Sequence, residues 1–286
     1  MTGDILGAAE PWPTSLEVDL DAIAANWRAL KSGPIAAVVK ADAYGLGAPR
    51  VAARLHAEGC RHFFVAHPAE ALAIRDCVPG AMLAVLNGLW PGVAPLLAAQ
   101  DITPVLGSLA EIDAWTAQAH ALGRPLPALL HVDTGMNRLG LDAQALAVLA
   151  GDPERLRGID LRYVMTHLVS AECPDDPVNE QQRLRFAEAC ACLPAAPRSF
   201  ANSSGLFLGP GFASDLARPG AALYGVNPTP GGRTRCGPWC ACAPACCRSA
   251  PCRRAAPWAI TASGPPSARA ESPPFRWAMP TGFRAR

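Results

Sequence analysis

Residues 16–226 alternate short β-type runs with amphipathic helical runs, and this alternation constrains the fold more than any other feature of the chain. The run IAAVVKA is followed by APRVAARLHAEG, HFFVA by PAEALAIRD, and AMLAVLNG by GVAPLLAAQ. Strands separated by single helices favour right-handed βαβ units and a parallel sheet. About eight such units in roughly 210 residues predict an α/β fold, a closed (β/α)8 TIM-type barrel rather than an open sheet.

Local signals support this division into elements. The alternation starts with LEVDL as the first strand-like run and ends with AALYGV as the last. Asp19 or Asp21 can cap the first helix, and Ser108 with Glu111 forms a capping box ahead of IDAW. We therefore expect helices to begin near these residues.

The composition changes after residue 230. Residues 231–286 contain no Leu, Val, Lys, Asp or Asn, but nine Pro, nine Arg and six Cys. Such a segment cannot build a hydrophobic core. Its cysteines lack the paired C-x2-C spacing of zinc sites, so we expect no metal. The predicted domains are an N-terminal extension over 1–15, the barrel over 16–228, and a disordered Cys/Pro/Arg-rich tail over 229–286.

Net charge and hydropathy limit the classes of partner that the chain could bind. The formal net charge is +1, without long blocks of one sign, which disfavours nucleic acid and anionic membrane surfaces. The N-terminus lacks the pattern of a signal peptide, and no run approaches the roughly eighteen apolar residues of a membrane span. We expect a cytoplasmic protein that acts on a small molecule.

The stretch AAVVKADAYGLG places a lysine, Lys40, directly after a buried-strand pattern. Of 25 basic residues only Lys31 and Lys40 are lysines. Arginine keeps its proton, whereas a desolvated lysine becomes neutral and nucleophilic. Lys40 is therefore a candidate nucleophile or base, the alternative being a lysine that extends from a strand end into solvent.

Five motifs together resemble the catalytic barrel of the alanine racemase family. They are, in chain order, AVVKADAYGLG, HVDTGMNRLG (131–140), MTHLVSAE (165–172), ANSSG (201–205) and ARPGAALYG (217–225). The family uses pyridoxal 5'-phosphate (PLP) to interconvert L- and D-alanine, which supplies D-alanine for peptidoglycan. The resemblance implies the same fold, cofactor and reaction for this chain.

The resemblance also implies roles for individual residues. Lys40 would hold PLP covalently and act as one of two catalytic bases, and Tyr44 would bind the cofactor phosphate. His167 would stack against the pyridine ring, Arg218 would face the ring nitrogen, and Arg138 would lie beside the phenolic oxygen. The other cofactor-binding residues that the motifs imply are Asn202, Ser203, Gly220 and Tyr224.

One position departs from the family pattern. Many relatives carry a carbamylated lysine two residues before DTG, where it orients the neighbouring arginine. This chain has His131 there. No carbamate can form on an imidazole, so we expect Arg138 to use another partner, such as the imidazole or an anion.

In the family a second domain supplies the opposite base, a tyrosine that reaches the neighbouring subunit of a homodimer. Residues 231–286 contain no tyrosine. If the codons of the tail are read in a frame shifted one base earlier, they permit the segments MRPVV, VGYNG and VGYADGFPR, which resemble motifs of the family's second domain. We therefore hypothesise a frameshift near Pro228–Arg233. We expect weakened PLP binding, little racemisation and a doubtful homodimer. A non-catalytic PLP-binding barrel of the PLP-homeostasis type and a broad-specificity amino-acid racemase stay open as alternatives.

Overall fold

In the computed structural model, which describes residues 18–229, a seven-stranded parallel sheet runs in chain order from β1 to β7. Its strands are β1 Ala37–Val38, β2 His62–Val65, β3 Met82–Val85, β4 Thr103–Leu106, β5 Leu126–His131, β6 Ile159–Met165 and β7 Arg198–Ser199. The predicted extension over 1–15 and the tail from residue 230 onward lie outside the described residues.

Helices precede and connect the strands, and apart from the short second helix they pack on the outside of the sheet. They are α1 Leu20–Leu30, α2 Lys40–Gly45, α3 Ala48–Ala57, α4 Pro68–Ile74, α5 Ala94–Ala99, α6 Leu109–Ala121, α7 Ala143–Gly151 and α8 Pro177–Ala191. Short 3₁₀ turns span Arg75–Cys77, Pro153–Leu156, Gly205–Phe207, Pro210–Phe212 and Ala221–Tyr224. No helix within residues 18–229 is long and apolar enough to cross a bilayer.

An extended segment, 215–219, occupies the eighth strand position and closes the barrel. On one side it meets β1: the amide of Ala36 donates to Ala217 O at 2.8 Å, and that of Val38 to Pro219 O at 3.1 Å. On the other side it meets β7, where the amide of Leu216 donates to Arg198 O at 3.3 Å. The predicted (β/α)8 barrel is confirmed in its closure, although the eighth segment is less regular because Pro219 lacks an amide hydrogen.

Two of the predicted strand-like runs differ in the structure. Among the described residues LEVDL adds no strand to the sheet: Asp19 accepts the amide of Ala22 at 2.9 Å and α1 begins at Leu20. AALYGV instead forms the 3₁₀ turn Ala221–Tyr224. Apolar runs this short do not distinguish a strand from a buried turn, and tertiary contacts decide between them.

The strands are apolar on both faces because they separate two cores. One core packs the outer face of the sheet against the helices. The other fills the barrel interior with Ala36, Val38, Phe64, Ala84, Val105, Leu129, Met165 and Leu216. Since all strands run parallel, the segments that follow them converge at one mouth of the barrel, where the candidate residues lie.

Candidate active site

Lys40 stands at the mouth of the barrel, where β1 ends. The preceding residue, Val39, is fully buried and donates its amide to Phe64 O of β2 at 2.8 Å, which fixes the direction of the chain. Burial lowers the pKa of Lys40, and the charge of Arg138 lowers it further, whereas Glu70 raises it. A neutral, nucleophilic amine is therefore easier to form here than on a free lysine.

The α2 turn that carries Lys40 is left-handed. Ala41, Asp42, Ala43 and Tyr44 have φ between 52° and 58°. For residues other than glycine this conformation costs roughly 1–2 kcal/mol each, and strain of this kind is typical of functional sites. Sequence reasoning did not predict this turn.

Tyr44 ends the left-handed run and lies against the segment that follows the eighth strand position. Its ring centroid is 4.9 Å from that of Tyr224, whose hydroxyl donates to Val38 O at 3.0 Å. A Cβ on Gly220 would lie 2.2 Å from the Tyr44 hydroxyl oxygen. The absence of a side chain at Gly220 is therefore what lets this hydroxyl sit over the backbone.

Asn202 and Ser203 form a tight turn after β7. The Asn202 side chain accepts the amide of Gly205 at 2.9 Å and donates to Leu168 O at 3.3 Å. Ser203 Oγ accepts the amides of Gly220 and Ala222, at 2.9 and 3.2 Å, which ties this turn to the one beneath Tyr44. Within residues 18–229 the Ser203 hydroxyl itself donates no hydrogen bond.

Arg218 lies within the barrel at its mouth and is 4% exposed. Its Nη1 donates to the backbone oxygen and the Oγ of Ser199, both at 2.6 Å, and its Nη2 donates to Thr166 O. Burial lowers the pKa of Arg218 to about 10, so the guanidinium remains charged at neutral pH. A fixed cation thus faces the site.

His167 and His131 are held neutral. Burial lowers the pKa of His167 to about 3, with further lowering by the charges of Arg218, Arg138, His131 and Lys40. Burial likewise lowers the pKa of His131 to about 4, helped by Arg218. Both imidazoles are therefore uncharged near pH 7, and the charges of Arg218 and Arg138 act on both of them.

Arg138 is presented by a loop after β5. Asp133 Oδ1 accepts the amides of Gly135, Met136 and Asn137 at 2.9 to 3.1 Å, which shapes the loop. The Arg138 side chain is exposed, and within residues 18–229 no oxygen accepts a hydrogen bond from it. Of the two alternative partners, the His131 imidazole makes no hydrogen bond with Arg138 among the described residues, and the guanidinium is accessible to an anion.

Gln182 is a structural residue of the site that sequence reasoning missed. Its fully buried amide donates to Thr134 Oγ1 at 2.9 Å and to His167 O at 3.0 Å, and accepts the amide of Val169 at 2.9 Å. It thereby joins the loops after β5 and β6. The sequence gives no local indication of this role, because seven of the fifteen residues of α8 are polar and Gln182 does not differ from them in type.

The family comparison matches the barrel. Residues 18–228 match the family described as alanine racemase, N-terminal domain. The chain is 52% identical over 232 residues to a catabolic alanine racemase of Mesorhizobium japonicum, covering 77% of this chain and 61% of that protein. It is 55% identical over 219 residues to an alanine racemase of Acidiphilium cryptum, covering 76% and 61%. This chain thus spans about three fifths of the length of either relative.

Solved structures agree with the fold. The barrel is similar to alanine racemase from Bartonella henselae with covalently bound pyridoxal phosphate, with a TM-score of 0.74, 39% identity, and coverage of 79% of this chain and 67% of that one. A Streptomyces coelicolor alanine racemase gives a TM-score of 0.70 at 31% identity, covering 75% and 61%. The family match over residues 18–228, with the residues gathered at one mouth of the barrel, shows that this chain belongs to the alanine racemase family through its N-terminal domain.

Proposed function

We propose that this barrel captures PLP on Lys40 and serves the interconversion of L- and D-alanine. The observation that carries the proposal is the position of Lys40: a partly buried amine with a lowered pKa, at the mouth where Arg138, Arg218 and His167 converge. Cations and neutral imidazoles around a nucleophilic lysine suit an anionic aldehyde.

The polar groups of the mouth fit a phosphate. The Tyr44 hydroxyl lies over Gly220, and Ser203 presents its hydroxyl beside it. Within residues 18–229 no oxygen accepts the amides of Ser203 and Ser204. Backbone amides and hydroxyls at a turn are typical phosphate ligands. We therefore assign Tyr44, Asn202, Ser203, Gly220 and Tyr224 to the phosphate end.

The other residues fit the ring end of the cofactor. The neutral His167 imidazole would lie against the ring, Arg218 would face the ring nitrogen, and Arg138 would pair with the phenolic oxygen. When bound, PLP would supply the electron-withdrawing ring that makes the α-proton of an amino acid acidic. Arg218 keeps its own proton at neutral pH, so it would not fully protonate the ring nitrogen. The ring would then withdraw electrons less strongly, which favours proton transfer over decarboxylation.

Lys40 then acts as the base on one face of the substrate. Inversion at carbon requires a second base on the opposite face. The chain contains three tyrosines, Tyr44, Tyr163 and Tyr224, and none after residue 224. Because residues 231–286, which follow the barrel, contain no tyrosine, we propose that PLP capture exceeds racemisation in this sequence, and the same composition favours a non-catalytic PLP-binding barrel as the second candidate.

The proposal also covers the domains of the chain, its cellular location and its oligomeric state. We propose an extension over 1–15, the barrel over 16–228 and a tail over 229–286, working in the cytoplasm on alanine. We propose that this chain does not form the stable homodimer that the resemblance implies. Light scattering on the purified full chain tests this: we expect a monomer at micromolar concentration, and a stable dimer would contradict it.

Trapping tests PLP capture. The full chain is incubated with PLP, reduced with borohydride and analysed by peptide mass spectrometry. Label is expected on Lys40 and not on Lys31, which lies 5.2 Å over the Trp27 ring and is the internal control. Equal labelling of both lysines, or label on Lys31 alone, would overturn the assignment.

Turnover separates the two candidates. D-alanine is added to the PLP-loaded chain and L-alanine is measured. We expect formation of L-alanine well below ordinary enzyme rates of about 1–1000 per second. Turnover in that range would refute the proposed loss, and no detectable turnover with full capture at Lys40 would support the non-catalytic barrel.

A further inference from the structure

The left-handed α2 turn requires support from outside itself. Its own hydrogen bonds, from the amide of Ala43 to Val39 O at 2.9 Å and from that of Gly47 to Asp42 O at 3.0 Å, join residues of the same segment. The amide of Ala41, directly after Lys40, instead donates to Oε1 of Glu70 at 2.9 Å, across 29 residues of chain. A distant carboxylate thus contacts the first residue of the strained run.

The other oxygen of Glu70 is anchored on a different segment. Its Oε2 accepts the amides of Ala66 and His67, at 2.7 and 3.3 Å, in the loop between β2 and α4. The carboxylate therefore bridges the loop after β2 and the turn after β1. Both of its oxygens are used as acceptors.

Helix capping explains only half of this arrangement. Glu70 occupies the third position of α4, from which a glutamate commonly reaches back to the amides before its helix. Glu111 does the same for α6, where its Oε2 accepts the amide of Gly107 at 2.6 Å. Capping accounts for Oε2 of Glu70, but it does not account for Oε1 on Ala41.

We propose that Glu70 is a positioning residue that holds the α2 turn in place and thereby directs Lys40 into the barrel mouth. The proposal rests on the proposed function, because it takes PLP as the molecule that Lys40 meets. The bridge made by Glu70 does not depend on PLP, because it consists of hydrogen bonds within this chain.

Substitution of Glu70 should change two properties of Lys40 in opposite directions. The negative charge of Glu70 raises the pKa of Lys40, against burial and Arg138, which lower it. Loss of the charge should therefore make the amine more reactive toward a small reagent. Loss of the bridge should make it less able to capture PLP, because capture requires a defined direction.

The first experiment uses hydrogen exchange on the full chain, comparing Glu70→Gln with Glu111→Gln. A glutamine side chain has one acceptor oxygen, so it must place an NH2 group against one of the two sets of amides. We expect exchange to rise about tenfold in Glu70→Gln in the peptide that contains Ala41 or in the one that contains Ala66 and His67, whichever loses its acceptor, and to stay unchanged in both peptides of Glu111→Gln. Unchanged exchange in both peptides of Glu70→Gln would overturn the bridge.

The second experiment measures Lys40 itself. Labelling by trinitrobenzenesulfonate is followed against pH by peptide mass analysis, with Lys31 as the internal reference. The midpoint for Lys40 should move to lower pH in Glu70→Gln only. At limiting PLP, borohydride trapping at Lys40 should fall roughly tenfold in the same variant. Trapping equal to that of Glu111→Gln would overturn the positioning role.

The outcomes also separate this proposal from the proposed function. If the unmodified chain fails to trap PLP, the proposed function fails, while exchange and labelling still decide the role of Glu70. If Glu70→Gln does not fold, Glu70→Asp provides the test, because it keeps the charge but is too short to bridge. We then expect faster exchange at Ala41 or at Ala66 and His67, with a nearly unchanged labelling midpoint, and unchanged exchange at both ends of the bridge would overturn the proposal.

Discussion

At the scale of single residues, the site is distinguished by neutral imidazoles kept among cations. His131 is 7% exposed, and its neighbours Arg218 and Arg138 disfavour a second positive charge. The imidazole at this position places a neutral group near Arg138 rather than an anion. The ring can serve as an acceptor but contributes no negative charge.

This buried histidine predicts an acid-sensitive fold. The pKa of His131 falls from 6.5 to about 4 on folding, so the unfolded chain binds the proton more readily. The stabilisation is complete above pH 6.5 and decreases as pH falls toward 4, by on the order of 3 kcal/mol. Urea unfolding between pH 4 and 7 should show a shallower pH dependence for His131→Gln. The exposed His120→Gln is the control, and equal slopes in both variants would contradict the prediction.

Gln182 is expected to matter for stability although it touches no ligand. Gln182→Leu leaves the amide of Val169, His167 O and Thr134 Oγ1 without this partner. The free energy of unfolding should fall by about 2–4 kcal/mol. The neighbouring exposed residue provides the matched variant, Gln181→Leu, which we expect to change it by less than about 0.5 kcal/mol. Similar losses in the two would refute the network, and urea titration measures both.

At the scale of elements, the mouth is built from turns that hold one another. Asp42 illustrates this, because it adopts a left-handed conformation and its Oδ1 also accepts the amide of Ala48 at 2.7 Å, at the start of α3. Gly47, the residue before that helix, has no side chain to do so. Asp42 therefore stabilises both the α2 turn and α3.

Alanine at residue 42 should lower the free energy of unfolding more than alanine at an ordinary helix cap does. Asp142 caps α7 by accepting the amide of Ala145 at 2.8 Å from an extended conformation. We expect Asp142→Ala to lower the free energy of unfolding by about 1 kcal/mol and Asp42→Ala by about 2 kcal/mol. Asp42→Asn should stay near the original, since asparagine also accepts and tolerates this conformation. Thermal or urea unfolding decides, and equal losses for the two alanine variants would argue against strain at residue 42.

Gly220 links the turn after the eighth strand position to Tyr44. In Gly220→Ala the new Cβ would lie 2.2 Å from the Tyr44 hydroxyl oxygen, so the partly exposed ring must move. We expect little change in melting temperature but roughly tenfold weaker PLP binding, measured by absorbance titration. Gly33→Ala is the control, because a Cβ there meets nothing within 4 Å. Unchanged PLP affinity in Gly220→Ala would remove Tyr44 from the phosphate end.

Some structural features of the barrel mouth could be predicted from local sequence and others could not. The Ser108 half of the predicted capping box is confirmed, because Ser108 Oγ accepts the amide of Glu111 three residues on, whereas the Glu111 carboxylate accepts the amide of Gly107 rather than that of Ser108. The left-handed turn at 41–44 was not, since Ala and Tyr carry no preference for it. Its support comes from Glu70 and from Tyr224, which are distant in sequence.

At the scale of the whole molecule, ligand binding and folding are coupled because every segment of the site follows a different strand. A ligand that contacts Lys40, Ser203 and Arg218 joins the first, seventh and eighth strand positions. It can bind only when the barrel is closed. PLP should therefore stabilise the folded state as a whole.

We expect PLP at a hundred times its dissociation constant to raise the free energy of unfolding by about 2.7 kcal/mol. Pyridoxal without the phosphate should stabilise the chain less at the same concentration, because it forgoes the contacts assigned to Tyr44 and Ser203. Lys40→Ala, which removes covalent capture, should respond less to PLP. Thermal melts at matched concentrations measure these differences, and equal shifts for pyridoxal and PLP would contradict the assigned phosphate end.

The sequence by itself determined the class of fold, the parallel barrel, and indicated several of the residues that lie at its mouth. Hydrophobic periodicity and the order of motifs are local properties, and parallel strands bring their carboxyl ends together whatever the loops do. The tertiary structure alone decided the eighth strand position, the left-handed turn, the neutral state of the two imidazoles, and the contacts of Glu70 and Gln182. Each of these depends on desolvation or on hydrogen bonds between distant residues, whose free energies are set only once the barrel has closed.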